Sequence, residues 1–148
     1  TFEKSPNEVN TIMNIFQDHE NNIWAATWGR GLGKFDKQRG TFEMFTYNKS
    51  SESYSRANIV LNIYESSKDN NMLWIGTGEA GLAIFHKKTK TFDFATLNDN
   101  DPHAFNANAV SYIFDDNIGA LWFATNKGVV TLASYLQQFR VNKFEPPS

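Results

Sequence analysis

The chain has 148 residues, the size of one ordinary domain or of a piece of a larger one. Its 14 Lys+Arg against 16 Asp+Glu give a net charge of −2, which speaks against a basic nucleic-acid binder or a polybasic membrane-surface binder. The longest apolar run, Ala120 to Ala124, falls far short of the roughly 20 residues of a spanning helix, so no direct membrane insertion is expected in this segment.

Aromatic residues make up 15% of the chain, enough to build a core. Cysteine is absent, which excludes disulfides, thiolate zinc sites and cysteine nucleophiles. The sequence opens at Thr1 without a basic-then-apolar leader, so the stretch is expected to be an excised or processed segment, any targeting signal lying outside it.

In chain order, Thr1-Phe2-Glu3 copies Thr41-Phe42-Glu43 and Thr91-Phe92-Asp93, so residues 1–10 are expected to be the last strand of a preceding unit and a connector. Residues 11–56 form the first complete unit, with strands expected at Thr11–Gln17, Ile23–Thr27, Leu32–Asp36 and Thr41–Thr46. Residues 57–105 repeat the plan, and residues 106–148 repeat it again with a C-terminal tail. The repeat is carried by Trp24, Trp74 and Trp122, each followed by a Thr and then by Gly31, Gly81 or Gly128. Upstream, Ile12/Ile15/Phe16 align with Val60/Ile63/Tyr64 and Val110/Ile113/Phe114. Three residues before the tryptophans stand Asn21, Asn71 and Gly119, types that tolerate the positive φ of a tight hairpin turn. The fold class is therefore all-β: a β-propeller fragment of about three four-stranded antiparallel blades. The three tryptophans recur in register and are expected to pack between blades.

The pattern Asp18-x-x-Asn21-x-Ile23-Trp24-x-Ala26-Thr27, followed by Gly31-Leu32 and Phe35-Asp36, resembles the two-component regulator propeller repeat. Asp116-x-x-Gly119-x-Leu121-Trp122-x-Ala124-Thr125 resembles it equally. Asn21 and Asn71 stand where the family usually has Gly, the second repeat carries two extra residues before Trp74, and Phe144 to Pro147 depart from a clean blade. The resemblance implies an extracytoplasmic, periplasmic sensor region of a hybrid two-component regulator of the Bacteroidetes kind, responding to a glycan.

Catalytic chemistry finds no support. Gly76-Thr77-Gly78-Glu79-Ala80-Gly81 is a literal GxGxxG, but Leu82–Phe85 after it reads as a strand where a nucleotide site needs a helix. His19, His86 and His103 lack a second ligand at metal spacing, and Asn98 to Asp101 lacks the Gly and Glu of a calcium loop. No catalytic residue, metal or cofactor is nominated. A lyase-type enzyme would need His and carboxylate groups at a central channel, where the first strands offer mainly Asn10, Asn14, Asn62, Asn108 and Ser111.

In such a meander, the loops between second and third strands and the blade-to-blade connections emerge on one face. That face carries the candidate ligand-binding residues Trp28, Arg30, Glu79, Asn126 and Lys127, with Tyr54, Arg56 and His103 on the long connections as further candidates. Trp28 stands where the other repeats have Gly78 and Asn126, so the repeat itself requires no aromatic there. An exposed tryptophan beside Arg30 suits stacking on a sugar ring or anchoring a protein. The expected partners are an oligosaccharide ligand and either neighbouring blades or a second copy. The alternative reading is a protein–protein scaffold that completes a ring by self-association.

Overall fold

The computed structural model describes residues 11–47, 56–95, 107–133 and 138–142. Twelve described strands form three four-stranded antiparallel sheets in sequential order. The first blade contains β1 (Ile12–Gln17), β2 (Ile23–Thr27), β3 (Leu32–Asp36) and β4 (Thr41–Phe45). The second contains β5 (Val60–Glu65), β6 (Met72–Thr77), β7 (Leu82–His86) and β8 (Thr91–Phe94), and the third β9 (Val110–Asp115), β10 (Ala120–Thr125), β11 (Gly128–Ala133) and β12 (Gln138–Asn142). A short 3-10 turn, Arg56–Asn58, leads into β5. The expected first-blade strands agree with these to within a residue at each end.

Registers match between blades: Phe16 lies opposite Trp24, Tyr64 opposite Trp74 and Phe114 opposite Trp122. Strand alternation then sends each tryptophan to the face turned towards the following blade. Trp24, Leu32 and Phe45 of the first blade pack on Ile63, Ile75 and Phe85 of the second. The Trp24 and Phe85 rings meet edge to face at 5.8 Å, a favoured aromatic geometry. One interface further on, Tyr64, Trp74 and Leu82 meet Ile113, Phe123 and Val130. Burial of these aliphatic and aromatic groups, each contributing roughly 1.5–3 kcal/mol when fully covered, holds the blades together.

The expectation that all three tryptophans are packing residues needs correction at the third. Trp24 is 1% exposed, but Trp122 is 41% exposed, because no described residue packs over the outer face of the third sheet. Phe114 and Tyr112 lie exposed on β9 of the same sheet. At the other end of the stack, Ile15 is 69% exposed on β1, whereas its equivalents Ile63 and Ile113 are buried. Asn21 and Gly119 adopt positive φ (63° and 123°) as the turn requires, while Asn71 does not. The two extra residues of the second repeat give that turn a different path.

Asn62 also departs from expectation. It does not line a channel: it is buried between blades, and its Oδ1 accepts the Ile113 N–H at 3.0 Å, tying it to the interior of the neighbouring β9. The strand expected after the GxGxxG stretch is present as β7. Asn10, Tyr54, the Asn98–Asp101 stretch and His103 lie outside the described residues.

Candidate functional site

The β2–β3, β6–β7 and β10–β11 loops are built on one local device. The Thr that follows each tryptophan turns its hydroxyl inward and donates to a glycine carbonyl: Thr27 to Gly31 at 2.7 Å, Thr77 to Gly81 at 2.7 Å and Thr125 to Gly128 at 2.6 Å. The same oxygens accept backbone N–H groups from Arg30, Ala80 and Lys127. This explains the recurring Thr: a small side chain satisfies loop groups that the ladder leaves unpaired. The glycines take φ of 79°, 73° and 104°, a region that costs a β-carbon-bearing residue about 1–2 kcal/mol.

These loops are also tied across blades. The Gly31 N–H donates to the Asn58 carbonyl at 2.9 Å, and the Gly81 N–H to the Asn108 carbonyl at 2.6 Å. Trp28 is held at its backbone by its N–H to the Thr11 carbonyl at 3.0 Å and by a bridge to Ile59 of the second blade. The residue is nonetheless 48% exposed. A rigid backbone thus presents a half-open indole.

Of the other sequence candidates, Arg30 and Glu79 occupy the equivalent loops, half-buried and exposed respectively. Asn126 is exposed and its Oδ1 accepts the Ala109 N–H at 3.1 Å, so its amide serves the loop itself. Lys127 is exposed at the tip of the β10–β11 turn. Arg56 sits in the 3-10 turn before β5.

The two inter-blade clefts lie elsewhere, at the β1–β2 and β3–β4 turns and their equivalents, and none of the five candidates lines them. The first, of about 540 Å³, opens between blades one and two among His19, Lys34, Glu43, Lys87 and Lys90. Beneath it runs a charged cluster. Lys87 Nζ reaches Asp18 Oδ2 at 3.2 Å and also pairs with Glu65, while His19 Nδ1 lies 3.0 Å from Glu65 Oε1. The Asp18 side chain is 0% exposed and that of Lys87 is 11% exposed.

Burial pushes the Asp18 carboxyl upward, but hydrogen bonds from the Trp24 indole, the Asn22 side chain and backbone, and Lys87 outweigh it and hold the pKa at about 2. Burial likewise raises Glu65, but Lys87 and His19 bring it below the usual carboxylate range. Burial works against the Lys87 ammonium, yet Glu65 and Asp18 keep its pKa above the ordinary lysine value. The cluster is a structural clamp between blades, built where the sequence showed only scattered charges. Its one local signal is the Asp six residues before Trp24.

The second cleft, of about 580 Å³, opens between blades two and three among Trp74, Leu82, Ile84, Leu121 and Leu132. Among the described residues no group of three or more His, Asp or Glu side chains gathers to hold a metal.

Residues 7–29 match the model of the family described as "Two component regulator propeller". Among solved structures, the chain is similar to the extracellular domain of BT3049 of B. thetaiotaomicron, assigned to a hybrid two-component system, at 27% identity and a TM-score of 0.76 over 92% of this chain and 19% of that one. It is also similar to the extracellular domain of BT4673 of the same organism, assigned to a one-component system, at 22% identity and a TM-score of 0.69 over 95% of this chain and 17% of that one. PorZ, a surface component of the type-IX secretion system of Porphyromonas gingivalis, shares the fold at 16% identity and a TM-score of 0.56, over 84% of this chain and 18% of that one. No curated protein matches the chain. One stretch of the first repeat thus matches the two-component regulator propeller model, the fold is a β-propeller, and this chain spans about a fifth of the length of the two B. thetaiotaomicron extracellular domains.

Proposed function

We propose that the chain is a non-enzymatic, ligand-sensing propeller segment of a periplasmic two-component sensor, and that it reads a glycan on the face carrying Trp28. The family match and the likeness to two extracellular domains support the sensor reading. The observation that carries the binding face is Trp28 itself, an indole half-exposed on a loop pinned at both its own blade and the next. An aromatic side chain held in this way loses little conformational entropy on binding and offers an apolar plate to a sugar ring. Arg30, Glu79, Asn126 and Lys127 stand on the corresponding loops of the three blades and are the polar candidates of this face. A ligand changes the state of such a receptor only by favouring one arrangement of blades or subunits over another, and the carbonyls of Asn58 and Asn108 couple the loops to the blade contacts.

The test is binding of a panel of neutral and acidic oligosaccharides by calorimetry. Trp28→Ala is expected to weaken the best binder at least about tenfold, about 1.4 kcal/mol, with an unchanged circular dichroism spectrum. Unchanged affinity would remove the face from consideration.

A second reading, self-association through the sheet faces, is favoured by the exposure of Trp122 and Phe114 at one end of the stack and of Ile15 at the other. In it the chain serves as a scaffold that completes a ring with a second copy or with neighbouring blades.

A further inference from the structure

The second repeat breaks a rule that the other two keep. Trp24 donates its indole N–H to Asp18 Oδ2 at 2.9 Å, and Trp122 donates to Asp116 Oδ2 at 3.0 Å. By strand register the equivalent of these aspartates is Ser66. Its hydroxyl accepts the Lys68 N–H at 3.2 Å within a turn two residues longer than its counterparts. The Trp74 Nε1 is buried and has no acceptor among the described residues. Leaving such a donor unpaired costs about 1–3 kcal/mol.

At the same place the inter-blade cleft opens. Trp74, Leu82, Ile84, Leu121 and Leu132 form apolar walls, and Ser66, Lys68 and Asp115 stand at its polar rim. Asp115 is already engaged by the Tyr64 hydroxyl, so it is no free carboxylate. A volume of about 580 Å³ is that of a small-molecule site, which is commonly an apolar cavity with few oriented polar groups. It is too small to seat a protein surface.

We propose that this cleft is a binding site for a neutral small molecule with an apolar body and one hydrogen-bond acceptor, a carbonyl or ether oxygen, which takes the place of the missing aspartate as the acceptor of the Trp74 N–H. The nitrogen is covered in the structure, so binding requires the side chains around it to shift and open it to the cleft. A charged group against the indole is disfavoured because the walls formed by Leu82, Ile84, Leu121 and Leu132 are apolar, the charged Lys68, Asp69 and Asp115 standing only at the rim. The site is remote from the Trp28 loop and independent of the function proposed for it.

Benzamide serves as the probe, titrated into the ¹⁵N-labelled chain while the four indole N–H resonances are followed. The expected result is a saturable shift at Trp74, assigned by its absence in Trp74→Phe, with Trp24, Trp28 and Trp122 unmoved. Ser66→Asp restores the acceptor of the other repeats and is expected to weaken benzamide binding at least about tenfold while raising the urea midpoint. No saturable shift, a shift shared by the other indoles, or undiminished binding in Ser66→Asp overturns the proposal. So does a contact between Trp74 Nε1 and water that benzamide fails to displace, which would make the cleft a hydration site.

Discussion

The Trp24 indole and the Asp18 carboxylate form one bond that serves two blades. Trp24 Nε1 donates to Asp18 Oδ2, the same oxygen accepts Lys87 Nζ from the second blade, and Asp18 Oδ1 closes its own turn by accepting the Glu20 and Asn22 N–H groups. The aspartate is thus the point at which a hairpin turn, a core aromatic and an inter-blade ion pair meet. Replacing it with Ala leaves a buried ammonium and a buried indole N–H without this partner, and breaking a buried pair in this way costs about 3 kcal/mol. Asp18→Ala is therefore expected to lower the urea unfolding free energy by about that amount. Asp116→Ala, at the half-exposed Trp122, is expected to cost clearly less. Equal losses for the two would show that the inter-blade link to Lys87 contributes little.

The same cluster sets a pH window. Folding lowers the Asp18 pKa from 3.8 to about 2, so its contribution is complete above the unfolded value and is lost as pH falls towards 2. The shift corresponds to roughly 2 kcal/mol, and Glu65 acts in the same direction. Lys87 is raised above 10.5, so its contribution is complete below that pH and fades as the pH climbs through the higher folded value. The contributions of Asp18, Glu65 and Lys87 are expected to be constant between about pH 5 and 10 and to fall away on both sides, as read from urea midpoints across pH. Lys87→Met should flatten the alkaline limb. An alkaline limb unchanged in that variant would assign it to other groups.

Most of the fold was legible because it is written three times. Period-two alternation and the recurring Trp, Thr and Gly fixed strands and turns, since each repeat independently satisfies the same backbone demands. The inter-blade contacts were not legible, because they depend on which residues of different repeats come into register. Gly76 shows this: a β-carbon there would stand 2.4 Å from the Val110 carbonyl oxygen of the third blade, a close approach that no local pattern announces. Lys87, at the end of β7, gave no sign that it would be buried beside Asp18. The Trp28 loop was legible as a departure from the repeat, and the cleft beside Trp74 was not. Its two signals, the extra residues and the Ser in place of Asp, acquire meaning only once the indole donors of the other blades are seen to be paired.

The two sheet faces that no described residue covers differ in kind, and this makes their role testable. The third blade presents Phe114 and Trp122, the counterparts of the Phe16 and Trp24 that cover the second blade. The first blade presents Ile15, the counterpart of the Ile63 that receives them. If copies associate head to tail, each interface joins one face of each kind. Trp122→Lys and Ile15→Lys should then each abolish association alone, yet a mixture of the two variants should form a dimer, because each retains the face the other needs. Sedimentation velocity of the wild type, the single variants and the mixture reads this directly. Association blocked by Trp122→Lys but unaffected by Ile15→Lys would mean that like faces pair, and a monomeric wild type at high concentration would exclude the self-assembling scaffold altogether.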